Sequence, residues 1–344
     1  MRTLSCMSRR GRVHHPTPPL RCSVLFVLLG VVLLPSRWDS LGAAFSVTTT
    51  SDAGPGSLRQ ALLDANASPG PHTIAFALPG SGPFTITPLS PLPGVYEPLV
   101  IDGTTQPGYP GRPVIELNGA QAGTDAFGLR VLSANCTIRG LAINRFGRDG
   151  IRLEGPGGNV IQGNHLGTDA TGTRALGNGW GGIAVLSASN QIGGVNRGEG
   201  NLISGNKQLG LYIQDAWASG NVVRGNRIGT DQSGLLRLPN ATNGVVISGA
   251  PGNIVGGKEP GAGNVISGNG LGGLHLLNQS INNVIQGNLI GVGANGSTVV
   301  SNGAEGLTIL QSAYNLVGGT ERGAGNVIAG NGGRGILIYG SGAV

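Results

Sequence analysis

The chain has 344 residues, 65 of them glycine, with only 11% charged and 4% aromatic residues. Glycine does not recur at every third position, which excludes a collagen, and a slightly positive mean hydropathy with recurrent Val, Ile and Leu runs excludes a disordered chain. The formal charge of +6 is concentrated at the start, where six arginines face one acid (Asp39); the rest carries sixteen cations and fifteen acids, a balance that argues against nucleic acid as a partner.

In chain order, the first element is a leader, residues 1–44. A basic stretch precedes an apolar run at 24–34. Eleven residues fall short of the roughly 20 that a spanning helix needs, so the run reads as the core of a secretory signal, with Gly42-Ala43-Ala44 as the small residues before a cut at Phe45. The competing reading is an uncleaved anchor. An exported, extracellular or cell-surface chain follows from the first reading. Cys6 and Cys22 lie in the leader, so Cys136 has no partner for an intrachain disulfide.

Residues 45–71 read as an N-terminal cap, with one helix over about 57–67. Ser57 followed by Gln60 has the spacing of a capping box, and Leu58, Leu62 and Leu63 supply an apolar face. Strands are expected at 73–77, 84–87, 99–101, 114–117 and 137–143.

From Asn159 the chain repeats itself. NVIQGNHLGTD at Asn159, NVVRGNRIGTD at Asn221 and NVIQGNLIGVG at Asn283 are 62 residues apart. NLISGN at Asn201, NVISGN at Asn264 and NVIAGN at Asn326 interleave with them, as do NQIGG, NIVGG and NLVGG at Asn190, Asn253 and Asn315. Each unit holds six short segments that alternate apolar and polar residues, the mark of strands with one buried face. Gly and Asn turns allow sharp corners, so each strand can lie on its equivalent one coil earlier, in parallel, at about 4.8 Å. The fold class is therefore all-β: a single-stranded parallel β-helix, a solenoid over 72–344, with the short helix covering its N-terminal end. Coils of about 31 residues fit three strands per turn; coils of about 21 are the competing phase. Asn164, Asn226 and Asn288 form one expected ladder of stacked amides, and Asn206, Asn269 and Asn331 another. The chain stops at Val344, where another Asn-led strand is due, and this reads as a truncation, with further C-terminal modules of the same protein to follow.

The segment VTTTSDAGPGSLRQALLDANA, then IDGTTQPGYPG, then the IGTD and N-[VL]-I-[SA]-G-N repeats resemble bacterial secreted right-handed parallel β-helix repeat proteins of the PbH1 type. The N-terminal region is similar to the CSLREA-type domain, with GSLRQA in place of the Cys-led version. The resemblance covers about residues 45–344. It implies a right-handed helix of the pectate-lyase-like superfold, which hosts polysaccharide lyases, hydrolases, adhesins and passenger domains, so the fold does not fix the function.

Chemistry-bearing residues are sparse. Asp169 and Asp231 occupy equivalent places in GTD and would lie about 10 Å apart if stacked two coils apart, near the upper end of an inverting glycosidase's carboxyl gap. Asp before a turn is the simpler reading, and the third copy has Gly293. The densest charge group is Arg145, Arg148, Asp149 and Arg152: an arginine there suits a uronate, and Asp149 is where calcium would bind. No other cofactor and no metal site is implied. His165 and His275 fall on different strand classes. Trp180, Trp217, Tyr212, Tyr314 and Tyr339 suit sugar stacking but are scattered. The first expectation is a non-catalytic scaffold contacting polysaccharide or a cell-surface glycan. The alternative is a polysaccharide lyase or glycoside hydrolase, which three or more acidic or basic side chains converging in one groove would favour.

Overall fold

A computed structural model describes residues 42–340; the leader and the last four residues lie outside that range. Among the described residues the chain forms three all-parallel sheets of ten, nine and eight strands and one α-helix. It is a right-handed parallel β-helix, and no helix among the described residues is long and apolar enough to cross a membrane.

Strand pairing sets the coil length. Val160 pairs with Gln191, which pairs with Val222, then Ile254, Val284 and Leu316, so successive rungs are 31 residues apart or within one of that, which rules out the shorter phase. Each strand presents alternate residues inward. In the third sheet Val185, Ile213, Ile247 and Leu276 form one inner column and Ile183, Leu211, Val245 and Leu274 another, all at most 1% exposed. Full burial of each such side chain is worth about 1.5–3 kcal/mol, and stacking like on like fills the interior without large voids.

The repeat is 62 rather than 31 residues because the corners alternate. After Val160–Gln162, Val222–Arg224 and Val284–Gln286 the chain reaches the second sheet through a Gly-Asn corner, then makes a long excursion at 167–180, 229–244 and 291–306 before the third sheet. The intervening coils do the reverse, with long loops at 194–201, 257–264 and 319–326. Each excursion of the first kind closes an antiparallel bridge (Thr168 with Ala175, Thr230 with Arg237, Val292 with Val299). The excursions also stack: the N–H of Gln232 donates to Gly172 O and that of Ala294 to Gly234 O, both at 2.9 Å.

Each corner carries an asparagine ladder. The first-to-second-sheet corner stacks Asn164, Asn201, Asn226, Asn264, Asn288 and Asn326, each Nδ2 donating to the next Oδ1 at 2.9–3.1 Å. The second-to-third corner stacks Asn178, Asn206, Asn240, Asn269, Asn302 and Asn331. A third column runs through Asn159, Asn190, Asn221, Asn253, Asn283 and Asn315. The residues read from the sequence as two ladders are thus alternate rungs, and the rungs between them come from the interleaved series. A buried amide needs its two donors and its carbonyl satisfied, and the stack supplies partners to both faces.

The helix spans Leu58–Asn66. Ser57 Oγ accepts from Gln60 N at 3.2 Å, but the Gln60 side chain reaches Asp64 rather than back to Ser57, so only half of the capping box forms. The buried face is Leu58, Ala61, Leu62 and Ala65, the i, i+3, i+4, i+7 pattern of an amphipathic helix; Leu63 is 48% exposed and does not belong to it. The helix packs on Ala44–Val47 and His72–Phe76, covering the first coil. The stretch 137–143, expected as one strand, is two: Thr137–Arg139 in the first sheet and Leu141–Asn144 in the second. Gly140, at φ +73°, makes the corner between them, a conformation that costs other L-residues energy.

Candidate active-site cleft

The outer face of the third sheet carries a column set by strand register: Arg130, Arg152, Ala184, Tyr212, Val246 and His275. Ala184 is the smallest residue in this run, and a cleft of about 320 Å³ opens beside it, lined by Phe127, Arg148, Asp149, Arg152, Trp180, Tyr212 and Gln214. Parallel stacking creates this proximity. Asp149 and Gly181 are equivalent residues of successive coils, and Tyr212 lies one further coil along from Ala184.

Asp149 is at the floor, 2% exposed. Its Oδ1 accepts from Gly181 N at 3.1 Å and its Oδ2 lies 3.5 Å from Arg152 Nη1. Burial pushes its carboxyl up to about 6, a rise that the neighbouring Arg152 opposes without cancelling. Glu154 behaves in the opposite way. Burial pushes it up, but Arg152 Nε at 2.7 Å and Arg130 Nε at 2.6 Å bond its two oxygens and hold it below the usual carboxylate range. The Arg152 guanidinium therefore stands between a carboxyl that keeps its proton to about pH 6 and one held ionised. Spanned by one guanidinium, the two carboxyl groups are less than about 9 Å apart, within the ceiling of about 9.5 Å for acid–base pairs in glycoside hydrolases. Arg152 also lies over the Phe127 ring at 5.4 Å, and Arg148 pairs with the exposed Asp125 at 2.9 Å.

Of the residues singled out from the sequence, Arg148, Asp149 and Arg152 converge here, together with Trp180 and Tyr212. Exposed Arg145, at φ +59°, is not among the residues that line the cleft. Asp169 and Asp231 lie elsewhere, each organising its own excursion. Asp169 Oδ1 accepts from Thr173 N and Arg174 N, and Oδ2 from Thr171 Oγ1. Asp231 Oδ1 accepts from Leu235 N, Leu236 N and Ser233 Oγ. In the third copy Asn295 takes over by accepting from Ser297 N and Thr298 N. His165 is on the second sheet and His275 on the third. For calcium at Asp149, the Arg152 guanidinium already faces the carboxylate and would repel a cation.

Phe127 and Gln214 are the lining residues that sequence reasoning missed, along with Glu154 and Arg130, which stand outside the lining; Glu154 pairs with both Arg152 and Arg130. The irregular first coils hide the register of Arg130 and Phe127: Arg130 pairs with Arg152 only 22 residues later, off the 31-residue spacing of the repeat.

No family model and no curated protein matches the chain. Among solved structures, the A-module of the Azotobacter vinelandii mannuronan C-5 epimerase AlgE4 is 18% identical, with a TM-score of 0.48 and 88% of each chain covered. A double mutant of the periplasmic alginate epimerase AlgG is 16% identical with a TM-score of 0.47; the match covers 78% of this chain and 59% of that one. Pectate lyase Pel9A is 12% identical with a TM-score of 0.39, over 88% of this chain and 78% of that one. At these identities the likeness is one of fold.

Proposed function

We propose that the protein is a polysaccharide-cleaving β-helix of glycoside-hydrolase type, acting at the Asp149 cleft. The observation that carries the reading is Asp149, a buried carboxyl raised to about 6 in a cleft that Trp180 and Tyr212 also line, with Glu154 held ionised on the other side of the Arg152 guanidinium. Such divergence is how one site assembles an acid and an ionised partner at one pH. Trp180, 46% exposed, and Tyr212 provide faces on which a sugar ring stacks. Asp149 gives its proton to the glycosidic oxygen as the bond to the anomeric carbon breaks. Water then adds to the anomeric carbon and returns a proton to the ionised Asp149, which completes hydrolysis, while Glu154, outside the cleft lining, holds the Arg152 guanidinium in place. Arg148 and Arg152 suit a substrate with acidic sugars. Export to the cell exterior, which the leader implies, belongs to this proposal.

A non-catalytic glycan-contacting scaffold is the second reading. One observation favours it: Asn243 Oδ1 accepts from Gly272 N at 2.8 Å in the same column, so the Asp149–Gly181 bond has a purely structural counterpart. Asp149→Asn keeps that bond and removes the proton. The test is release of reducing ends from a panel of neutral and acidic polysaccharides by wild type, Asp149→Asn and Trp180→Ala. Release by wild type that falls on the order of a hundredfold or more in Asp149→Asn supports cleavage. Binding without release, equal in wild type and Asp149→Asn and lost in Trp180→Ala, makes the protein a scaffold. Neither binding nor release removes both readings.

A further inference from the structure

The second sheet presents a different surface. Its outer column runs Ala142, His165, Leu202, Arg227 and Val265. The two alternating loop families wall it in: the excursions at 167–180 and 229–244 on one side, the loops at 103–113 and 194–201 on the other. Between them lies a cavity of about 410 Å³ lined by Arg112, His165, Arg197, Arg227, Gln232 and a set of glycines. It shares Gly111, Gly163, Arg197 and Gly198 with a second cavity of about 500 Å³ that holds Tyr109 and Arg139. The two make one groove.

The arginines here are short of partners. Arg139, at the other end of the groove, is paired with Asp102 at 2.5 Å, and outside the groove charge pairing is the habit, as with Arg59 on Asp52 at 2.7 Å. Among the described residues, Arg197 and Arg227 make no side-chain hydrogen bond or ion pair, and the Nε of Arg227 is buried with no acceptor. Arg112 reaches only the carbonyl of Ala170, at 3.3 Å. The nearby carboxylates are committed: Asp169 to Thr171, Thr173 and Arg174, Glu199 to Asn196. His165, 3% exposed, is neutral at ordinary pH, since burial lowers it to about 4, and so offers a hydrogen bond rather than charge. A guanidinium N–H withdrawn from water without an acceptor is costly, and a ligand oxyanion supplies that acceptor in the planar geometry a guanidinium prefers. The near-neutral charge of the repeat region hides this local excess.

We propose that this groove is a second glycan site, in which Arg112, Arg197 and Arg227 grip the carboxylate or sulfate groups of an acidic oligosaccharide. It shares no residue with the Asp149 cleft, and it stands or falls apart from the hydrolysis reading.

The test is calorimetric titration of the full chain at low salt with four probes: oligogalacturonate, a sulfated galactan oligomer, inorganic sulfate and a neutral cello-oligomer. We expect an acidic oligomer to bind, the neutral one not to, and the affinity to fall on the order of tenfold or more in Arg197→Ala and in Arg227→Gln and with added salt. Which acidic oligomer binds identifies the oxyanion. Binding should be unchanged in Trp180→Ala, which alters only the other cleft. The exposed Arg197 keeps the test open should Arg227→Gln melt early. Equal binding by wild type and Arg197→Ala, no preference over the neutral oligomer, or binding of inorganic sulfate alone would overturn the proposal.

Discussion

Replacing Asn226 with alanine removes one rung from the middle of a ladder. Its Oδ1 accepts from both N and Nδ2 of Asn201 at 3.0 Å, and its Nδ2 donates to Ile192 O, Asn264 Oδ1 and Arg224 O at 2.9–3.1 Å. Asn201 Nδ2 keeps Ile161 O, and Asn264 Oδ1 keeps the N–H of Asn226. The N–H of Asn201 loses its acceptor inside a site that is 1% exposed. At about 1 kcal/mol for each shared bond and up to about 3 for the orphaned donor, the loss is about 5 kcal/mol. Urea unfolding followed through the fluorescence of Trp180 and Trp217 reads it, and hydrogen exchange should show the amides of Asn201 and the neighbouring rungs deprotected first. Asn226→Asp should be as damaging, because it keeps the acceptor but turns the donor into an oxygen facing other oxygens. Asn295→Ala, in an exposed turn, should cost under about 1 kcal/mol. If Asn226→Ala also shifts stability by under about 1 kcal/mol, the ladders are decoration and the reasoning fails.

Gly210 opens a third-sheet strand where an added Cβ would sit 2.5 Å from Gly244 O and 2.8 Å from Ile228 Cγ2; Gly210→Ala should cost about 2–4 kcal/mol, while Gly325→Ala, with open space around it, should be near neutral in the same unfolding assay. His165 and Asp149 should make opposed contributions to the pH dependence of stability. Between about 4 and 6.5 the unfolded chain holds His165's proton more tightly than the folded one, so this residue makes stability rise with pH. Asp149 keeps its proton to about 6 in the folded state against 3.8 in the unfolded one, so it makes stability fall as pH rises through that window. Each part is worth about 3 kcal/mol, so Asp149→Asn should steepen the rise seen in thermal melts relative to wild type, and His165→Gln should flatten or reverse it. Leu62→Ala, fully buried under the cap, should lower stability by about 2–4 kcal/mol, with exchange rising first in Ala44–Val47 and His72–Phe76.

The coil was readable because the repeat writes each corner as Gly-Asn and each strand as an alternating apolar pair. The ladders were readable only at every second rung: Asn164 and Asn226 share a motif, whereas Asn201 sits behind a long loop and looks like a different series. The helix face was misjudged at Leu63 because two alanines, Ala61 and Ala65, complete it instead. The cleft is a property of register between coils. Asp149 in one rung, Trp180 and Ala184 in the next and Tyr212 in the one after are spread along the chain, and only the pairing of Ile151, Ile183 and Leu211 brings them together. The arginine groove was hidden for a similar reason: Arg112, Arg197 and Arg227 stand in unlike motifs and meet only because alternate loops fold to the same side.

The most direct test of the account is the titration of the Asp149 carboxyl, followed by carbon NMR in protein labelled at aspartate and assigned by difference from Asp149→Asn. A midpoint near 6 is what its burial at the cleft floor requires. A midpoint near the ordinary value of about 4 would mean that the carboxyl is solvated and already almost wholly ionised at about pH 6, and the acid that the proposed cleavage depends on would not exist.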